Sequence, residues 1–88
     1  MTQLTLMEAI NATLPAPVLL QRVDPERRMA RFYRLTIEPT LFGGYALVRE
    51  YGRIGQGGRV ISQLYASTDD VVRAFEQVRQ GKQRRGYA

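Results

Sequence analysis

The chain has 88 residues, with 13 Lys or Arg against 8 Asp or Glu, a formal charge of +5, and neither cysteine nor histidine. That length predicts one small domain, which buries only about 60% of the surface of its unfolded chain and leaves little room for a deep, dry active site. Without thiols or imidazoles, disulfides, Cys/His metal sites, thiol nucleophiles and histidine bases are excluded, so an enzyme would have to run on carboxylates, arginine or tyrosine.

Residues 1–16 read as a lead, in which Leu4–Ala12 form a candidate short helix and Pro15 and Pro17 end it. The lead has no basic start, and Glu8 and Asn11 interrupt any apolar stretch, so no secretion signal is predicted. The match of Asn11-Ala12-Thr13 to a glycosylation acceptor is then read as chance. No apolar run approaches the length of a membrane span, and the expectation is a soluble, cytoplasmic protein without a membrane partner.

Four strand-like runs follow. Val18–Val23 is closed by Asp24-Pro25, a turn-favouring pair. Met29–Ile37 alternates, with Tyr33, Leu35 and Ile37 on one face and Arg34 and Thr36 on the other, the pattern of a half-buried strand. Pro39 and Gly43-Gly44 connect it to Tyr45–Arg53, and Gly55-Gln56-Gly57-Gly58 connects that run to Arg59–Ala66. The glycine loop lacks the phosphate-binding GxxxxGK[ST] pattern and is followed by a strand, so a hairpin turn is predicted there.

Ser67 opens a helix as its N-cap, with Asp69 and Asp70 suited to the positive end of the helix dipole. Val71, Phe75 and Val78 make an apolar stripe wide enough to cover a sheet, and Gly81 is expected to stop the helix. The fold class is therefore α+β: over residues 17–88, an antiparallel sheet packed on one face by a C-terminal helix.

Twelve of the 13 cations are arginine, and Lys82 is the only lysine. Guanidinium groups suit phosphates, carboxylates and flat rings, although a genomic preference for arginine gives the same count. Residues 22–59 hold eight arginines against four acids, and Lys82, Arg84 and Arg85 add three cations near the end. An anionic partner is predicted, with nucleic acid ahead of a membrane surface. In an extended Tyr45–Arg53, the side chains of Arg49, Tyr51 and Arg53 share one side, so two guanidiniums flank one ring. Gly52 between them suggests close approach of another backbone. Such a group can clamp a phosphate while the ring meets a sugar or base. The competing structural role makes Tyr51 a core aromatic and the arginines solvated strand charges. Lys82, Arg84 and Arg85 are either a solvated tail beyond the Gly81 stop or a further phosphate grip. The acids are scattered, with no nucleophile, base or metal set around them, so neither an enzyme nor a cofactor is expected.

The run from Arg31 to Gly58 and the run from Tyr65 to Tyr87 resemble the WGR domain, named for Trp-Gly-Arg. The shared features are Arg31-Phe32-Tyr33, Leu41-Phe42-Gly43-Gly44, the Arg49-Glu50-x-Gly52-Arg53-Ile54-Gly55 core and the closing Lys82-x-x-Arg85-Gly86-Tyr87. The short bacterial form is the nearer likeness, and it implies an antiparallel four- to five-stranded sheet packed on one face by a C-terminal helix. The resemblance implies a non-enzymatic nucleic-acid-binding module, for DNA with a preference for ends or nicks, or for RNA. In the polymerases that carry this domain, the motif tryptophan stacks on a sugar at a broken DNA end and the arginine holds the backbone. Those roles fall here to Tyr51 and Arg53, with tyrosine offering a smaller stacking face than indole. The alternative function is a protein-interaction domain for an acidic partner.

Overall fold

A computed structural model describes residues 14–88. The candidate helix Leu4–Ala12 lies outside the described residues. Four strands form one antiparallel sheet in the order β1 (Val18–Asp24), β2 (Met29–Pro39), β3 (Tyr45–Arg53) and β4 (Arg59–Tyr65), and α1 (Thr68–Arg84) crosses one face. The predicted class and strand positions agree with this arrangement, and the strand count is four.

The alternation in β2 sets the register of the whole sheet. Tyr33, Leu35 and Ile37 are buried, and their cross-strand partners Leu20, Tyr51, Arg49 and Leu47 lie on the same face. Helix α1 places Val71 and Phe75, four residues apart, onto that face. Phe75, Leu35, Leu47 and Val71 are the largest fully buried side chains. Burying each such side chain contributes about 1.5–3 kcal/mol, enough to hold a small sheet to a single helix. Ser67 caps the helix as expected, its Oγ accepting from the Asp70 backbone N–H at 3.1 Å. Thr68 Oγ1 donates to the Tyr45 hydroxyl at 2.9 Å and ties the first turn to β3.

Gly81 does not stop the helix. It lies inside α1, which continues to Arg84, and the helix closes at the C-cap Arg85 and the left-handed Gly86 that follows it, whose φ is +94°. There the Gly86 N–H donates to the Gln83 carbonyl and the Tyr87 N–H to the Lys82 carbonyl, each at 3.1 Å. This is the double bond pattern that closes a helix through a left-handed residue, and only glycine adopts that conformation without a Cβ penalty. An interior glycine costs about 1 kcal/mol against alanine, too little to end a helix whose neighbours are packed. Lys82 and Arg84 are therefore last-turn residues and Arg85 the C-cap, not a tail beyond the helix.

The chain beyond the cap returns to the sheet. Gln21 and Ala88 exchange both backbone hydrogen bonds at 2.9 Å, covering the outer edge of β1. Tyr87 is thereby folded under α1, half-buried and edge-on to Tyr33 with ring centroids 6.3 Å apart.

Candidate nucleic-acid interface

The antiparallel register carries two transverse rows past the end of the helix. One row runs Leu20, Tyr33, Tyr51, Arg59 across the four strands, and the next runs Arg22, Arg31, Arg53 across three. Like charges directly opposite one another on a sheet are destabilising, and none of these three arginines has a carboxylate within ion-pair distance among the described residues. The four ion pairs use Arg27, Arg34, Arg73 and Arg79 instead. An unneutralised arginine row is therefore a cost to folding that an anionic partner would offset.

Above these rows the last turn of α1 and the returning terminus form one wall of an open cleft of about 570 Å³. Arg27, Arg28, Arg31, Arg53 and Lys82 line it, no acid does, and its aromatic residues on this face are Tyr33, Tyr51 and Tyr87. Asp24 caps the short turn Pro25–Arg27 that positions the first two cations, and Arg28 beyond it takes a left-handed conformation with φ of 52°. Lys82 Nζ sits 4.4 Å above the Tyr33 ring and 5.4 Å from that of Tyr87, contacts in which an ammonium is attracted to the ring face. Burial, and then the charges of Arg85, Arg49 and Arg31, hold its pKa below the ordinary lysine value.

The cleft brings together four of the seven residues singled out from sequence: Tyr51, Gly52, Arg53 and Lys82. Arg49 lies on the same face but turns inward. It donates to Gln63 Oε1 at 3.2 Å and, at a long 3.5 Å, to the Tyr33 hydroxyl, while its Nε is buried without a partner. Arg84 donates from Nε to the Gln80 carbonyl of its own helix at 3.4 Å, and Arg85 is exposed at the cap. Neither lines the cleft.

Tyr51 is both a core and a cleft residue. Its ring stacks on Tyr33 at 5.5 Å with an interplanar angle of 10°, leaving at most one face for a ligand. The close backbone approach inferred at Gly52 is real but internal: a Cβ there would stand 3.1 Å from the Gly58 Cα. At Gly58 an added Cβ would fall 2.8 Å from the Phe32 ring and 2.9 Å from the Tyr51 carbonyl, so the β3–β4 hairpin folds tightly over Phe32.

Sequence reasoning missed Arg31, Arg27 and Arg28. Arg31 carries a readable signal, since it stands two residues before Tyr33 and so shares its face. Its pairing with Arg53 is visible only once the register is known.

The opposite face of the sheet has another character. Arg34 and Glu50 pair there at 2.8 Å, and Leu19, Val60 and Leu64 are more than half exposed. The hairpin tip between β2 and β3 leaves Leu41 and Phe42 almost wholly in solvent. Among the described residues there is no cluster of three or more potential metal-ligating His, Cys, Asp or Glu, and no helix is long and apolar enough to cross a membrane.

A family model of the WGR domain matches residues 16–88. The chain is 41% identical over 73 residues to "Uncharacterized protein y4dW" of Sinorhizobium fredii (strain NBRC 101917 / NGR234), covering 83% of this chain and 36% of that protein. It thus spans about a third of the length of that relative. No solved structure matches it. Since the matched segment contains all four strands, the helix and every residue of the cleft, the chain belongs to the WGR domain family.

Proposed function

We propose that the domain is a non-enzymatic module that binds nucleic acid, DNA first, in the cleft between the β2–β3 rows and the last turn of α1. The observation that carries this reading is the Arg22, Arg31, Arg53 row, unneutralised and adjoined by Lys82 and a stacked pair of tyrosines. Guanidiniums at adjacent strand positions, about 5 Å apart, engage neighbouring phosphate oxygens, while a ring beside them meets a sugar or base. Nothing in the cleft presents a helix to a groove, and α1 offers its C-terminal end to it, so readout of base sequence is not expected. WGR domains are in general nucleic-acid-binding modules, which favours the same assignment.

Preference for ends and nicks follows if the free face of Tyr51 caps an exposed sugar or base, as the family tryptophan does. The test is a titration of blunt, nicked, single-stranded and covalently closed DNA across a range of salt. With roughly three to five phosphates engaged, log affinity falls with log salt at a slope of about −3 to −4.5. A flat response, or no binding at low salt, removes the reading. Equal affinity for closed and broken duplexes removes only the preference for ends.

A second reading, a protein-interaction domain, is favoured by the other side of the molecule. Leu19, Val60 and Leu64 on the open sheet face and Leu41 and Phe42 at the hairpin tip are the apolar surface such a partner would cover. Binding of that kind loses little affinity as salt rises, which separates the two readings.

A further inference from the structure

The cleft holds a side chain whose chemistry phosphate binding does not require. In a chain that uses arginine at 12 of 13 cationic positions, the single lysine stands in the cleft. Arginine is charged under all ordinary conditions and is inert as a nucleophile, whereas a lysine amine reacts whenever it loses its proton. Lys82 has no carboxylate partner among the described residues, and its Nζ lies over the Tyr33 and Tyr87 rings. The geometry points to Lys82 as a self-acylation site for acyl phosphates, with the cleft arginines binding the phosphoryl group and the amine attacking the adjacent carbonyl.

The groups facing Lys82 support both halves of this chemistry. Arg31 from β2, Arg49 and Arg53 from β3 and Arg85 from the helix cap surround it, and among them Arg31 and Arg53 line the cleft directly. Burial, and then the charges of Arg85, Arg49 and Arg31, favour the free amine, while the two tyrosine rings favour the ammonium. The same guanidiniums suit the dianionic phosphate that leaves. In the reaction the neutral Lys82 nitrogen forms a bond to the acyl carbon and the acyl C–O bond to phosphorus-bound oxygen breaks. Inorganic phosphate departs with that electron pair and takes up the proton that the nitrogen loses, leaving as the hydrogen phosphate dianion. No oxidant or metal is needed. The product is a neutral amide at the centre of the cleft, which removes one of its five cations and the contact with the Tyr33 ring. Acylation of Lys82 is thus a means of turning anion binding down.

This inference does not rest on nucleic acid being the partner, and its test contains none. The full chain is incubated with acetyl phosphate, and acetylation is followed at the Lys82 peptide by mass spectrometry, with the same chain unfolded in urea as reference. Lys82 is expected to react several-fold faster in the folded chain than in urea. Inorganic phosphate at millimolar concentration is expected to slow the folded reaction without affecting the unfolded one. Arg31→Gln with Arg53→Gln is expected to lower the folded rate towards the urea value, with circular dichroism confirming the fold. A folded rate no higher than the unfolded rate overturns the assignment. So does a folded rate that inorganic phosphate leaves unchanged, a result that needs no variant to fold.

Discussion

Two regions of one sheet face, built from the same strands, have opposite characters. Under the first half of α1, Leu35, Ile37 and Leu47 meet Val71 and Phe75 in a dry core. Two to six residues along the same strands, the face is made of Arg31, Tyr33, Arg53 and Tyr51, with Lys82 and Tyr87 above them. Strand alternation is identical in both regions, so secondary structure does not explain the change. Cover does. The helix lies on the first region with its apolar stripe, and it reaches the second only by its last turn, where its own residues are cationic. Tyr33 is buried here too, but Arg31 and Arg53 are exposed and Tyr51, Lys82 and Tyr87 only half-buried, so these amphipathic rings and cations are both packed and wet. What remains unexplained by solubility is the like-charge row, since alternating signs would have served as well. That is the feature assigned to a ligand.

The comparison is broken most severely by Phe75→Ala. Emptying the core side of the helix is expected to cost about 3–5 kcal/mol, read as a large drop in Tm. The cleft residues should still bind DNA at temperatures where the variant remains folded. Loss of binding with the fold intact would mean that the two regions are not separable. Tyr51→Ala acts on the boundary, since the ring stacks on Tyr33 and also lines the cleft. Removing a stacking face is expected to weaken DNA binding by about 1–3 kcal/mol. The loss should be accompanied by a lower melting temperature, and measuring both on one sample separates the roles. A stability loss with unchanged affinity would assign the ring to the core alone.

Gly86→Ala tests how the cleft wall is held. A left-handed alanine costs about 1 kcal/mol relative to glycine, and a Cβ there also approaches the Arg22 side chain to 3.3 Å. The last turn should fray, and both stability and affinity should fall modestly; amide exchange of Lys82 to Tyr87 reports the fraying. Arg53→Ala is expected to leave Tm nearly unchanged or slightly raised, because it relieves repulsion from Arg31, while reducing the salt slope of DNA binding by about one. The smallest effect is expected of Arg84→Ala. This residue bonds to its own helix and lies off the cleft, so affinity, slope and Tm should stay close to the parent's. A slope change equal to that of Arg53→Ala would extend the interface along the helix.

The sheet, the helix start and the pairing of ring with arginine in β3 were legible because each rests on a local period or a local cap. Alternation in Met29–Ile37 identifies the buried face directly, and Ser67 with two following acids identifies a helix N-terminus. Two features were not legible for physical reasons. Gly81 has the composition of a stop, but tertiary cover outweighs its small propensity cost, and Gly86 two positions from the end of the chain satisfies the carbonyls instead. The row formed by Arg22, Arg31 and Arg53 depends on inter-strand register, which no single strand's pattern contains. The dual role of Tyr51 likewise needs Tyr33 beside it across the ladder.

Which of the two faces of this sheet meets the partner is the central question, and one titration answers it. A chain of 10.0 kDa is small enough for residue-by-residue nuclear magnetic resonance. A short blunt DNA duplex added in low salt should shift the backbone amides of Arg28, Arg31, Gly52, Arg53, Lys82 and Tyr87, and leave those of Leu19, Val60 and Leu64 unmoved. Shifts concentrated at Leu19, Val60 and Leu64 with the cleft silent, or no shifts anywhere at low salt, would contradict the assignment of the arginine row and the stacked tyrosines to nucleic acid.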